Sequence, residues 1–260
     1  MARLALLAAA ALVQAAPQPQ SQPQPAPQQL PVVRPEIVRS YPHDTGAFTE
    51  GLLFDGGRLF ESTGREGQSV IRQVDLATGR TLREAKVPAG LFGEGIVAWK
   101  RQLLSVTWHG GRGFRWSLPD LKPAGEWRYT GEGWAMTDDG RHIILSDGTP
   151  ALRFLDPATM KVARTLNVTA NGRPLKNLNE LEYIDGEIWA NVWMTRFIVR
   201  IDPATGKVKG ALDLSELIAK AGTTDPDAVA NGIAYDRQAR RIYVTGKNWP
   251  QLFEIKLPAK

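Results

Sequence analysis

Five variants of one phrase recur along the chain, each a short apolar strand, a Gly- or Asp-rich turn and a second apolar strand. They are EGLLFDGGRLFESTG from Glu50, EGIVAWKRQLLSVTW from Glu94, GWAMTDDGRHIILSDG from Gly133, ELEYIDGEIWANVW from Glu180 and NGIAYDRQARRIYVTGK from Asn231. By difference their first residues stand 44, 39, 47 and 51 positions apart, a spacing that belongs to propeller blades. A second phrase follows each, a strand ending in an Asp-Pro-Ala-Thr-Gly-like turn: VDLATGR at Val74, RWSLPDLK at Arg115, LDPATMK at Leu155, IDPATGK at Ile201 and FEIKLPAK at Phe253. Pro presets φ in such turns and Asp bonds its own backbone.

Two hairpins per unit make a four-stranded sheet, so the chain is all-β and its five units predict a five-bladed β-propeller. The fifth unit stops one strand short. PEIVRSYP, from Pro35 to Pro42, has the character of that strand, and we expect it to close the ring on the last blade and remove the open edge. Only DLSELIAKAG, from Asp213 to Gly222, has a helical period.

The rest of the chain sets limits. Residues 1–16 carry one Arg and an apolar run too short to span a bilayer, ending in small residues, which reads as a cleaved signal peptide and implies export, periplasmic or secreted, with no anchor in the mature form. Pro17–Pro31 is a Pro/Gln-rich spacer with nothing to bury, and 32–260 form one domain. With no cysteine in 260 residues, an exported chain must rely on its apolar core. A formal charge of +5 with no basic run argues against nucleic acid. No zinc or EF-hand spacing is present. A closed ring leaves no sheet edge in need of a partner, so a monomer is expected.

In a propeller the first strand of each unit lines the channel, so Glu50, Glu94, Gly133, Glu180 and Asn231 are placed at equivalent positions on one face. The ends of the antiparallel second strands lie beside them: Gly64, Trp108, Asp147, Trp193 and Lys247. Carboxylates gathered in one funnel raise each other's pKa and suit proton exchange near neutrality. They serve equally as acceptors for backbone N–H groups at the channel mouth. Trp99, Trp116 and Trp127 are assigned to the core, whereas Trp108, Trp134, Trp189, Trp193 and Trp249 are candidates for a ligand-stacking rim. Lys247 reads slightly better as a solvated loop charge. His43-Asp44 reads as a turn or cap, since neighbours in sequence do not readily face each other and no G-x-S-x-G phrase accompanies them.

The phrases YPHDTGAFTEGL, LFESTG, FGEGI, GEGWAM, SDGT, LNELEYIDGEIWANVW, RIDPATGKV, NGIAYD and VTGKNWPQLFEIKL occur in order between Tyr41 and Leu257. Together they resemble the glutaminyl-peptide cyclotransferase family of plant and bacterial type. The resemblance implies a five-bladed propeller that converts the N-terminal glutamine of peptides and proteins to pyroglutamate, with release of ammonia and no required cofactor or catalytic metal. A structural ion in the channel is left open. It also implies roles by position: Glu94 of FGEGI as the proton shuttle; Phe48, Phe92, Trp108, Trp134 and Trp193 as pocket walls; Asn179 as the carboxamide binder; Lys247 as a pocket cation. At Glu50 the family tends towards Gln, so Glu50 is expected to bind the substrate amine or orient Glu94. Two other readings remain at this stage, a metal-dependent propeller lactonase or related hydrolase and a non-enzymatic propeller that binds a protein partner.

Overall fold

A computed structural model describes residues 29–258; the expected signal peptide and most of the Pro/Gln spacer lie outside the described residues. The strands follow the two-hairpin period. Blade 1 is β3 (Thr49–Asp55), β4 (Arg58–Thr63), β5 (Val70–Val74) and β6 (Thr81–Lys86). Blade 2 is β7 (Gly93–Trp99), β8 (Gln102–Thr107), β9 (Arg112–Ser117) and β10 (Pro123–Arg128). Blade 3 is β11 (Ala135–Asp138), β12 (Ile143–Ser146), β13 (Ala151–Leu155) and β14 (Val162–Asn167). Blade 4 is β17 (Leu178–Ile184), β18 (Glu187–Val192), β19 (Phe197–Ile201) and β20 (Val208–Asp213). Blade 5 is β21 (Ala230–Asp236), β22 (Arg241–Gly246) and β23 (Gln251–Lys256), completed by β2 (Glu36–Pro42) from the other end of the chain. The expected closure is thus formed, with β2 antiparallel to β23 and Tyr41 opposite Leu252.

Innermost strands touch in cyclic order, β3 to β7 to β11 to β17 to β21 and back to β3. They are buried along most of their length, whereas the outermost β6, β10 and β14 are largely exposed. The described core divides into five clusters, one at each blade-to-blade interface. Between blades 1 and 2, for example, Phe60 and Ile71 pack on Ile96, Leu103 and Phe114. Each fully buried aliphatic or aromatic side chain removes apolar area worth about 1.5–3 kcal/mol, which a chain without disulfides requires. The Asp-x-Ala-Thr turns work as expected: Asp75, Asp156 and Asp202 each accept the N–H of the Thr three residues on, at 2.8, 2.8 and 3.1 Å.

Three features were not foreseen. A two-residue strand β1 (Val32–Val33) adds to blade 4, parallel to β20, and Pro31 just before it accepts the N–H of Ala211. A small hairpin of β15 (Thr169–Ala170) and β16 (Arg173–Pro174) joins blades 3 and 4. His43 does not act as a simple turn residue. It follows the closing strand, is held at 2.6 Å by the Trp249 carbonyl through Nδ1, and meets Glu61 at 2.9 Å through Nε2. Glu61 also binds Arg72 and Thr49, and Arg72 reaches Asp44, so a buried charged cluster clasps the ring closed between blades 5 and 1. The expected helix forms as α1 (Ser215–Ala221), with Gly222 at its C-terminus and Leu217 and Ala221 in the core beside Trp249. Among the described residues no helix is long and apolar enough to cross a membrane.

Candidate active site

Four of the five innermost strands carry a β-bulge at the same place. Pairing between first and second strands shifts between Thr49 and Gly51, between Gly93 and Ile96, between Leu178 and Leu181, and between Ala230 and Ile233. A bulge adds a residue on one strand and re-aims its side chain, a device common beside active sites. Aligning these pairings makes Glu50, Glu94, Asn179 and Asn231 equivalent. Sequence phrasing had set Glu180 in that series; the register corrects it to Asn179, one residue earlier. In blade 3 the pocket position belongs to Trp134, just before β11, and not to Gly133.

The residue after the bulge explains the repeated Glu-Gly. Neighbouring blades approach so closely there that a Cβ on Gly51 would stand 2.9 Å from the Ile96 nitrogen, and one on Gly95 would collide with Ala135. Hydrogen bonds across the interfaces fix the bulges. Ser62 Oγ donates to the Glu94 carbonyl (2.6 Å), Gly95 N–H to Trp134 (2.9 Å), Ser146 Oγ to Asn179 (3.0 Å) and Asn231 Nδ2 to Thr49 (3.0 Å). Blade 4 has Glu180 where the other bulged strands have glycine. Its carboxyl group turns into the channel and accepts N–H groups of Leu52 (3.1 Å) and Ile233 (2.8 Å), tying three blades together.

One cavity of about 270 Å³ opens at this end of the channel. It is lined by Phe48, Glu50, Phe92, Glu94, Trp108, Trp134, Asn179, Trp193 and Lys247, all nine residues singled out from the sequence, together with Met194 and Asp227, which were not. Trp189 and Trp249 are core residues. Asp147 turns away to Thr149 and Arg153. Met194 and Asp227 sit in loops whose paths no repeat dictates; the only hint was Met194 following Trp193.

Lys247 is not a solvated loop charge. It is buried, and its Nζ lies 2.6 Å from Glu50 Oε1 and 4.3 Å from the centre of the Phe48 ring. Glu50 Oε2 receives Asn231 Nδ2 at 3.3 Å. Glu94 faces the same pocket as Glu50, and its pKa is raised well above the usual carboxylate range, first by burial and then by the Glu50 charge. Burial also raises Glu50, against the pull of Lys247. Lys247 and Asn231 donate to Glu50, so of the two carboxyl groups Glu94 is the better placed to hold a proton. Among the described residues the Oδ1 of buried Asn179 has no partner, an acceptor left for a ligand. Around these groups the aromatic rings meet edge to face: Phe48 with Phe92 at 6.3 Å, Phe92 with Trp108 at 5.7 Å, and Trp134 with Trp193 at 5.7 Å. Among the described residues no three His, Cys, Asp or Glu side chains are grouped as metal ligands.

The chain is similar to known proteins in sequence and fold. The glutamine cyclotransferase family matches residues 5–257. The chain belongs to that family. It is 44% identical over 227 residues to the glutaminyl-peptide cyclotransferase of Arabidopsis thaliana, covering 85% of this chain and 71% of that protein. The crystal structure of Myxococcus xanthus glutaminyl cyclase superposes with a TM-score of 0.84 at 37% identity, covering 88% of this chain and 98% of the other. Family membership accounts for the five-bladed ring and for the recurrence of the quoted phrases from Tyr41 to Leu257.

Proposed function

We propose that the chain is a glutaminyl-peptide cyclotransferase that closes the N-terminal glutamine of peptides and proteins into pyroglutamate, with Glu94 carrying the proton. The observation behind this reading is a buried Glu94 that shares a pocket with Glu50, itself paired at 2.6 Å with buried Lys247, under a wall of aromatic rings. The family and the two relatives named above support the activity itself.

A free α-amine has a pKa of about 7.7–8.0, so part of it is neutral near pH 7.5 and can attack without a strong base. The pocket's task is to fold the side chain back until the amine nitrogen meets the γ-carboxamide carbon, a proximity effect. The aromatic walls bury the methylenes, and Asn179 Oδ1 accepts from the carboxamide NH₂. As the C–N bond forms, the carboxamide oxygen becomes negative and the attacking nitrogen must lose one proton. Glu94 gives its proton to the departing nitrogen, which leaves as ammonia, and recovers one from the attacking nitrogen, so the enzyme ends as it began. Lys247 offsets the charge that develops in the pocket, and Glu50 holds Lys247 and Glu94 in place. Catalysis runs through these side chains with no metal step.

Export as a monomer is part of the same proposal, resting on the apolar run of residues 1–16 and on the closed ring. The test is to incubate the protein with a synthetic Gln-initiated peptide and its Asn-initiated counterpart and to follow loss of ammonia by mass. Conversion of the Gln peptide alone is expected; conversion of neither would sink the reading.

A further inference from the structure

Glu132 of GEGWAM also precedes a glycine, as Glu50 and Glu94 do, yet it does not line the pocket. It stands behind the wall. Its Oε2 accepts the indole N–H of Trp108 at 3.0 Å and that of Trp134 at 2.8 Å. We propose that Glu132 is a positioning residue for the cyclisation, one carboxylate oxygen that ties the two tryptophans into a single wall against which the glutamine side chain folds. This rests on the cyclase reading.

Trp108 is 40% exposed and Trp134 half-buried, so neither ring is held by burial in the core, and the shared carboxylate adds a polar anchor to each. Through Glu132 the two aromatic series join into one, from Phe48 and Phe92 to Trp108, then to Trp134 and Trp193. Glu132 is itself anchored. Arg153, a mostly buried side chain, donates to the Glu132 carbonyl at 2.6 Å and to that of Thr130, and is paired with Asp147. His109 stacks on the Trp108 ring at 4.1 Å, with Nδ1 3.6 Å from Glu132 Oε1. A carboxylate suits the task because charge-assisted acceptance is stronger than neutral acceptance. One oxygen takes both donors, so a glutamine carbonyl can replace it.

Substrate folding depends on the wall in the ground state as well as at the transition state, so the effect should fall on KM. E132A should raise KM for a Gln-initiated peptide roughly tenfold, two hydrogen bonds to a charged acceptor being partly replaced by water, with kcat little changed. E132Q should restore KM. In a W108F/W134F background, which lacks the indole donors, E132A should add nothing further. Without reference to activity, E132A should also make tryptophan emission more quenchable by acrylamide, and E132Q should not. Glu132 is a half-exposed rim residue, and E132A should unfold at the wild-type temperature. E132S, too short to reach either ring, supplies the same comparison if E132A does not fold. An unchanged KM in E132A, equal losses in E132A and E132Q, or an undiminished loss in the doubly substituted background would overturn the proposal. If the wild type converts no peptide, the cyclase reading fails, while the quenching comparison still decides whether the tie exists.

Discussion

Replacing Lys247 by Met removes the partner of a buried carboxylate and should destabilise the fold strongly. The Lys247 and Glu50 side chains are only 7% and 2% exposed and lie 2.6 Å apart. Breaking such a pair costs about 3–5 kcal/mol because one charge is left buried and unpaired. For a domain of this size each kcal/mol moves Tm by about 2–4 °C, so a fall of roughly 6–20 °C follows. The loss must also depend on pH. Glu50, already raised by burial, rises further without its counter-charge. A carboxyl group whose folded pKa lies above its unfolded value contributes its stability at pH below about 4.5 and loses it as pH climbs through the folded pKa. The K247M deficit should therefore be small near pH 4.5 and largest near pH 8. Calorimetry of the wild type, K247M, E50Q and E50Q/K247M at both pH values would measure it, and the double variant should lose much less than the sum of the singles. A K247M Tm at pH 8 close to that of the wild type, or losses that simply add, would show that no buried ion pair holds Glu50.

Four further outcomes are expected. His43 is raised: burial opposes its charge, but Glu61 outweighs burial. Its stabilisation is thus full below about pH 6.5 and lost as pH rises through the folded value; a thermal scan against pH should show that decline in the wild type and not in H43Q. Burial pushes Glu61 up, but His43, Arg72 and Thr49 together outweigh it and lower it to about 2, so its share is present above about pH 4.5 and is lost as pH falls towards 2, and E61Q should flatten that acid limb. At the opposite channel mouth burial pushes Glu182 up to about 8, with Asp138 adding to the effect and Arg237 opposing it; E182Q should raise Tm at pH 9 and matter little near pH 4, and a lower Tm at pH 9 would contradict this. Prolonged treatment with a chelator should leave turnover of a Gln peptide unchanged, as checked by ammonia release.

The blades were legible because each must repeat the same two hairpins, and the closing strand because the fifth unit lacked its fourth. Nine of the eleven pocket residues were legible as members of recurring phrases or of the family resemblance. The register was not. In four blades a bulge inserts one residue, and where blade 4 has Glu180 in place of glycine the phrase ELEY looked like EGLL shifted by one, so Glu180 was taken for the partner of Glu94 when Asn179 is. Loops hid the rest. Nothing in the period brings Asp227 or Met194 to the pocket, and Glu132 could be seen to precede glycine without any sign that two indoles share it. His43 escaped for another reason: its partner Glu61 faces it from a different blade, a pairing that only ring closure creates.

The central claim is that Glu94 moves the proton, and kcat/KM of the wild type and E94Q on one Gln-initiated peptide tests it most directly. Loss of a general acid/base should lower E94Q by about 10²–10⁴-fold with the fold retained by circular dichroism. Turnover by E94Q within a few fold of the wild type would place the proton transfer elsewhere and contradict the account.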